Sequence, residues 1–399
     1  MPVYSNYRQF GGVHPETAAA ANMLAAAGVI APHSGEPFSE ELLFGIGGGL
    51  GCGYRLRRSR DRQFVGITLG FHNRWNLPTN YLVNLCSRLG APITLHETLG
   101  RRTAVSSLNA AIKSQAPVMA WVDRARLPYQ GLSPEEGGSS QHVVAVCGWE
   151  PESEEVLIDD LAPTPFRAAF DRFNEARARP AASKNRLLRI EAPPVVDLKN
   201  AVREGLRDCI LQLAAKSRST ALPAIKVWAR RMTDPSDPLG WPVIFRERLG
   251  LYSTLRAVFE AIVLDGSDGA GLRNLYASFL REAAEILDEG KLVDTAILYE
   301  TTAQRWSELA AAVLPEEVPE FNETRALLFK RYAALKQGET GEMEASGGRL
   351  SELKSNLDRE FPLGEGAIQG LFHNIQEKIL AVYRGEYEAL VMLRSALIS

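Results

Sequence analysis

The pattern of hydrophobic residues changes abruptly near Ala192-Pro193-Pro194, and this change constrains the fold more than any other sequence feature. Before these prolines, short apolar runs alternate with helix-like segments, which is typical of a domain that mixes strands and helices. After them, apolar residues recur at three- and four-residue spacing, as on the buried stripe of a helix. Because prolines interrupt both patterns at this point, we predict an α+β domain over residues 1–192 and an all-helical domain over residues 193–399.

The second half is predicted to consist almost entirely of helices. They are expected at Asp197–Ala215, Leu222–Met232, Arg246–Leu264, Leu272–Glu289, Leu292–Val313, Glu323–Leu335, Arg349–Phe361 and Gly366–Leu397. The intervening segment Lys336–Gly348 is polar and rich in glycine, so it is predicted to be a loop.

The first half is predicted to begin with a helix over Pro15–Ala27. Proline at the first turn, the acidic Glu16 beside it and Gly28 after an alanine run are typical helix start and stop signals. Further helices are predicted at Ser39–Phe44, Thr79–Leu89 and Ala104–Gln115. Strands are predicted at Gln63–Leu69, Pro92–Leu95 and Val118–Val122.

The clearest local element is a β-hairpin. The apolar run His142–Trp149 leads into the polar turn Glu150–Glu154, and Val156–Ile158 returns to Asp159 and Asp160. An antiparallel return places His142 and the two aspartates at the same end of the hairpin. Because side chains alternate along a strand, Asp160 is predicted to share the apolar face and Asp159 to point the other way.

This hairpin end carries the strongest candidate chemistry. A histidine can act as a general base near neutral pH, and a neighbouring carboxylate can orient its ring. We therefore predict His142 as a catalytic base oriented by Asp160, with Asp159 as the second candidate. The alternative is a purely structural histidine in a hairpin.

The start of the first helix is a second candidate site, because a helix N-terminus concentrates unpaired N–H groups and positive potential. Glu16 is a candidate catalytic residue there, and His14 and Thr17 are candidate substrate-binding residues. Glu16 has an alternative role, in which its charge simply complements the helix dipole.

The glycine-rich segment Gly45–Gly53 is the third candidate, and it is predicted to be a loop. It lacks the Lys-Ser/Thr end of a P-loop and the third glycine of GxGxxG, which argues against a nucleotide site. Its glycines allow close approach to a ligand or to another element, so Gly49, Cys52 and the following Tyr54 are candidate substrate-binding residues. Cys52 is either a displaced nucleophile or inert packing.

Charge and composition exclude several classes of function. The net charge of -3 gives no global reason to expect nucleic acid, and the arginine-rich run Arg55–Arg62 is predicted to be solvated. The four cysteines and six histidines show no zinc-ligand spacing, so neither metal nor cofactor is expected. No signal peptide or membrane-spanning run is evident, which predicts a cytoplasmic protein with reduced thiols.

Several motifs together resemble the butirosin biosynthesis protein H (BtrH) family. In the first half these are Gly12-Val-His-Pro-Glu-Thr17, Ser39–Gly51 and His142-Val-Val-Ala-Val-Cys-Gly148. Gly269–Ala284 and a later helix containing Trp306 are similar to the helical domain that commonly follows it.

The resemblance implies a papain-like N-terminal fold with a Cys-His-Asp type site, and transfer of an aminoacyl group from a carrier-protein thioester to an amine. The expected partners are a carrier protein bearing phosphopantetheine and a small amine such as an amino sugar, without nucleic acid or membrane; a homodimer is left open. The family cysteine falls on Pro15, which has no nucleophile. Direct attack assisted by His142, covalent catalysis by Cys52, an inactive binding or scaffold protein, and a thioester or amide hydrolase all remain open.

Overall fold

A computed structural model describes residues 3–58, 65–132, 142–264 and 266–397. The helices are α1 (Pro15–Ala26), α2 (Glu40–Gly47), α3 (Pro78–Leu89), α4 (Arg101–Lys113), α5 (Phe170–Ala178), α6 (Leu198–Ala214), α7 (Pro223–Thr233), α8 (Trp241–Ile244), α9 (Leu251–Val263), α10 (Arg273–Leu287), α11 (Lys291–Val313), α12 (Pro319–Gln337), α13 (Thr340–Leu357) and α14 (Glu365–Ala396). The strands are β1 (Leu50–Arg58), β2 (Val65–His72), β3 (Ile93–His96), β4 (Val118–Val122), β5 (His142–Glu150), β6 (Glu155–Asp159), β7 (Phe166–Ala169) and β8 (Leu187–Ile190).

The predicted α+β class with a helical second half is confirmed. The chain forms two compact units: unit 1 comprises residues 1–43, 89–197 and 327–351, and unit 2 comprises residues 44–88, 198–326 and 352–399. The domain boundary at 192/193 stays a prediction, because a division into compact units does not show which segments fold independently. The papain-like fold also stays a prediction. No helix in the described part of the chain is long and apolar enough to cross a membrane.

Unit 1 is built on an antiparallel six-stranded sheet of order β3-β8-β4-β5-β6-β7. The predicted hairpin forms its fourth and fifth strands, with Val146 of β5 opposite Ile158 of β6. β4 pairs with the other edge of β5, and Val122 lies opposite His142. The strands β7 and β8, of four residues each, are absent from the predicted set.

One face of this sheet packs into an apolar core, as the alternation of its side chains predicts. The core is formed by side chains from β4, β5, β6, β7 and β8, joined by residues of α4, α5, α12 and α13. Its members include Leu108, Val118, Ala120, Val122, Val144, Val146, Val156, Ile158, Phe173, Ala334 and Met343. Asp160 continues the series Val156, Ile158 at the end of β6, which brings its carboxylate to this side of the sheet.

The helix α1 packs against β5 and β8, and its local sequence explains its limits. Pro15 occupies the first turn, where a missing N–H costs nothing. Gly28 adopts a left-handed φ of 74° immediately after the helix, and its N–H bonds the carbonyl of Ala25, as is common at helix ends. The predicted helix over Pro15–Ala27 is thus confirmed to within one residue.

Unit 2 contains the β1–β2 hairpin, against which α6, α7 and α9 pack, and a helical group that includes α10, α11 and α14. The predicted glycine loop Gly45–Gly53 is wrong at both ends, because α2 extends to Gly47 and Leu50 begins β1. Gly53 pairs with Gly70 across the hairpin, and a Cβ at either glycine would lie 2.2 Å from Trp75. The glycines therefore make room for an indole ring. Residues 59–64, with part of the predicted strand and of the arginine run, lie outside the described residues.

The predicted loop Lys336–Gly348 is also wrong, because α12 extends to Gln337 and α13 begins at Thr340. Local composition disfavours a helix here, but Met343 is fully buried in the unit 1 core. Gly347 lies so close to Gly131 that an added Cβ would be 1.8 Å from the Gly131 carbonyl oxygen. Tertiary packing overrides local propensity at this point.

We expect Gly347→Ala to destabilise the protein by about 1–3 kcal/mol, since its methyl group would overlap a backbone oxygen. The matched control is Gly348→Ala in the same helix, where an added Cβ meets nothing within 4 Å. That change should stabilise by roughly 0.5–1 kcal/mol through helix propensity. Urea unfolding of both variants measures the difference, and equal effects would contradict the close contact.

Candidate functional site

The hairpin brings His142 and Asp160 into direct contact, as the sequence predicts. The His142 Nε2 atom lies 2.8 Å from the Asp160 Oδ1 atom. The carboxylate is almost completely buried, with 1% of its side chain exposed, whereas 12% of the His142 side chain reaches solvent. A buried acceptor therefore holds a ring that is only partly buried.

Two further donors satisfy the other carboxylate oxygen. The Tyr129 hydroxyl lies 2.8 Å and the Gln130 Nε2 atom 2.9 Å from Asp160 Oδ2. Burial alone would raise the pKa of Asp160, but the charge of His142 and these hydrogen bonds hold it below its ordinary value. Asp160 is therefore an ionised, acceptor-only partner at neutral pH.

An ionised Asp160 fixes the tautomer of His142 in its neutral form. Nε2 must carry the proton that it donates to Oδ1, so the lone pair resides on Nδ1. No residue that the structure describes hydrogen-bonds Nδ1. The basic nitrogen of the neutral ring thus lies on the side away from Asp160.

The donors to Asp160 are themselves held by unit 1. Tyr129 and Gln130 belong to a single 3-10 turn that starts at Pro128, and the Tyr129 ring stacks on Phe166 at 4.1 Å between centroids. Arg331 of α12 donates to the Gln130 carbonyl oxygen at 2.9 Å and to its Oε1 at 3.3 Å. Because the Arg331 guanidinium donates to Oε1, the amide nitrogen of Gln130 faces the Asp160 carboxylate.

Sequence reasoning missed Tyr129, Gln130 and Arg331. The turn after Pro128 carries a weak local signal, since proline favours the start of such a turn. Arg331 carries none, because it is 201 residues from Gln130 and the contact depends on tertiary packing.

Asp159 points to the opposite side of the sheet, as the strand alternation predicts. Its carboxylate accepts hydrogen bonds from the Tyr7 hydroxyl at 2.5 Å, the Asn22 Nδ2 atom at 2.8 Å and the Gln9 Nε2 atom at 3.1 Å. Burial raises its pKa to about 6. Asp159 therefore connects α1 and the preceding segment to β6, and its contacts are those of a positioning residue; the predicted second orienter role for His142 gains no support from them.

His14, Glu16 and Thr17 form a separate cluster at the start of α1. His14 Nε2 lies 3.2 Å from Glu16 Oε2, and its Nδ1 lies 3.0 Å from the Thr17 hydroxyl. Burial lowers the pKa of His14 to about 3, so the ring is neutral and its contact with Glu16 is a hydrogen bond. Their predicted roles in binding and catalysis stay predictions.

Glu40 of α2 adds a carboxylate that the sequence did not single out. It accepts hydrogen bonds from the backbone N–H groups of Val13 and His14, the latter at 2.6 Å. A carboxylate in this place complements the positive end of the α1 dipole. Burial nevertheless raises the pKa of Glu40 to about 7.

The remaining candidates, Gly49, Cys52 and Tyr54, belong to unit 2. A Cβ on Gly49 would lie 2.4 Å from the Tyr276 ring, so this glycine serves close packing. The Cys52 side chain is buried, and burial raises the pKa of its thiol far above the ordinary value. The Tyr54 ring stacks on Trp228 at 5.6 Å, and its hydroxyl accepts from Trp241 Nε1 at 3.3 Å.

Comparison with known sequence families supports the resemblance inferred from the motifs. Residues 14–161 match the family described as "Butirosin biosynthesis protein H, N-terminal", and residues 169–335 match "Domain of unknown function (DUF4872)". The chain matches the BtrH family. No curated protein matches it at a significant level.

The first match begins at the cluster at the start of α1 and ends next to the His142–Asp160 pair. The matched segment begins at His14, beside the start of α1, and ends at Leu161, directly after Asp160. The matched segment therefore contains the His142–Asp160 pair and the Tyr129–Gln130 turn. Arg331 lies within the second match.

The raised pKa of Glu40 predicts a pH-dependent effect on stability. Its ordinary value is 4.5 and its folded value about 7, so the folded state holds the proton more tightly. The protonated Glu40 side chain therefore stabilises the folded state fully below pH 4.5, and this stabilisation is lost as the pH rises to about 7. Glu40→Gln keeps an acceptor oxygen without the charge, so its stability relative to wild type should rise over this range by about 2–3 kcal/mol.

Urea unfolding at pH 5 and pH 8 measures this difference. The control is Glu36→Gln, which changes an exposed glutamate of the same unit and should leave the two curves parallel. Parallel curves for Glu40→Gln would show that Glu40 is not destabilised as an anion.

Proposed function

We propose that this protein is an acyltransferase of antibiotic biosynthesis that moves an aminoacyl group from a carrier-protein thioester to an amine, with His142 as general base. The observation that carries the proposal is the 2.8 Å contact between His142 Nε2 and a buried, ionised Asp160. The family description, which names butirosin biosynthesis, supports the biosynthetic setting. The same setting favours a cytoplasmic location.

The chemistry requires no enzyme nucleophile, because a thioester is already activated. Nδ1 of His142 removes a proton as the amine nitrogen bonds to the thioester carbon. The tetrahedral intermediate then expels the thiolate, which takes the proton back from the imidazolium. The C–S bond is replaced by a C–N bond, and the products are an amide and a free thiol.

Asp160 stabilises the imidazolium that forms between these two proton transfers. General base catalysis contributes about 10²–10⁴ in rate. Binding the amine next to the thioester can supply roughly 7–11 kcal/mol more, by replacing a bimolecular step with one inside a complex. Positioning and proton transfer are therefore sufficient for an activated acyl donor.

The covalent alternative through Cys52 is less well supported. Its thiol is buried with 2% of the residue exposed, and its sulfur lies 3.4 Å from the Arg273 Nη2 donor. Burial raises the thiol pKa, whereas a nucleophilic cysteine needs the thiolate form and access to substrate. The environment of Cys52 is that of a packed core residue.

We expect His142→Asn to lower the rate of amide formation by about 10²–10⁴ without loss of folding. Asp160→Asn should lower it by about tenfold or more, since the ring loses its anionic partner. The probes are aminoacyl-pantetheine thioesters with hydroxylamine as the amine, followed as hydroxamate. The control His373→Asn changes an exposed histidine on α14 and should retain full activity.

The same assay separates the alternatives. Wild-type activity in His142→Asn would contradict the base role. Thiol release without any amine, at a rate equal to that with amine, would identify a hydrolase. A wild-type rate equal to the uncatalysed rate would favour a binding or scaffold protein, and a trapped acyl adduct on Cys52 would establish the covalent route.

A further inference from the structure

A strongly cationic cavity of about 410 Å³ lies within unit 2. Three segments form it: β1, the turn before α7, and α7 itself. β1 is joined to that turn by a hydrogen bond from the Tyr54 N–H to the Ser219 carbonyl oxygen. Five arginines line the cavity: Arg55, Arg57, Arg218, Arg230 and Arg231.

Only two of these five arginines form ion pairs with residues that the structure describes. Arg230 and Arg231 both contact Asp237, at 3.1 and 3.0 Å, and Arg230 also lies 3.9 Å from Asp234. Neither Arg57 nor Arg218 forms an ion pair with any residue that the structure describes. The same holds for Arg55, whose guanidinium stacks over the Trp75 ring at 4.9 Å from its centroid.

Local charge balance therefore differs from that of the whole chain. Five arginines against Asp234 and Asp237 leave three positive charges (5 − 2 = 3), in a protein of net charge -3. Arginines at the end of α7 complement the helix dipole, which accounts for Arg230 and Arg231. It does not account for Arg57 on β1 or Arg218 in the turn.

We propose that this cavity binds a phosphate monoester or pyrophosphate group of a small molecule. Guanidinium groups match phosphate oxygens as paired donors, and a dianion offsets three positive charges better than a single carboxylate. The cavity has the size of a small-ligand site. A volume of about 410 Å³ suits a compact ligand better than an extended nucleic acid backbone. The site does not depend on the proposed acyl transfer.

Calorimetric titration with pyrophosphate, 4′-phosphopantetheine and inorganic phosphate tests the site, with ionic strength held constant by sodium chloride. Pantetheine, which lacks the phosphate, is the matched neutral ligand. Arg57→Ala/Arg218→Ala changes two exposed arginines and should raise the Kd of pyrophosphate by about tenfold or more. The control is Arg207→Ala, an exposed arginine of α6 paired with Glu204.

Saturable pyrophosphate binding that is lost in the double variant and kept in Arg207→Ala supports the proposal. Binding of 4′-phosphopantetheine but not of pantetheine or inorganic phosphate identifies an organic monoester. Binding of inorganic phosphate but not of 4′-phosphopantetheine identifies a free inorganic anion. No binding of any phosphate above the chloride control overturns the proposal. Tighter binding of a single-stranded oligonucleotide than of every small phosphate also overturns it, in favour of nucleic acid.

Discussion

The buried carboxylate of Asp160 is the constraint on which the candidate site depends. An ionised group in the interior is stable only when its oxygens are hydrogen-bonded, and Asp160 obtains three donors from two separate segments. His142 comes from the first residue of β5, and Tyr129 and Gln130 come from the turn after β4. Each of these donors is held in place by its hydrogen bond to the carboxylate. The ring of His142 is therefore oriented by the same contacts that make burial of Asp160 tolerable.

The neighbouring aspartates show how one strand serves two faces of a sheet. Asp160 faces the side of Val156 and Ile158 and holds His142, whereas Asp159 faces α1 and holds Asn22. A shift of the β6 register by one residue would exchange the two carboxylates. The register of the hairpin therefore positions both His142 and the helix whose first turn carries His14, Glu16 and Thr17.

The parts of this arrangement that follow local rules could be predicted. Strand alternation and the antiparallel return were enough to pair His142 with Asp160 and to separate Asp159 from it. Helix start and stop signals were enough to define α1. The parts that depend on contacts between distant segments could not be predicted, because no local pattern records them. Arg331 beneath Gln130 is one example, and the helical conformation around Gly347, which packs against Gly131, is another.

The tautomer of His142 is the most direct test of its role as a base. ¹⁵N NMR of the protein with labelled histidine, assigned by comparison with His142→Asn, distinguishes a protonated ring nitrogen from one with a free lone pair. We expect the neutral ring to carry its proton on Nε2, toward Asp160, and to have its lone pair on Nδ1. A neutral ring protonated on Nδ1 would contradict this role, because no base would then face an incoming amine.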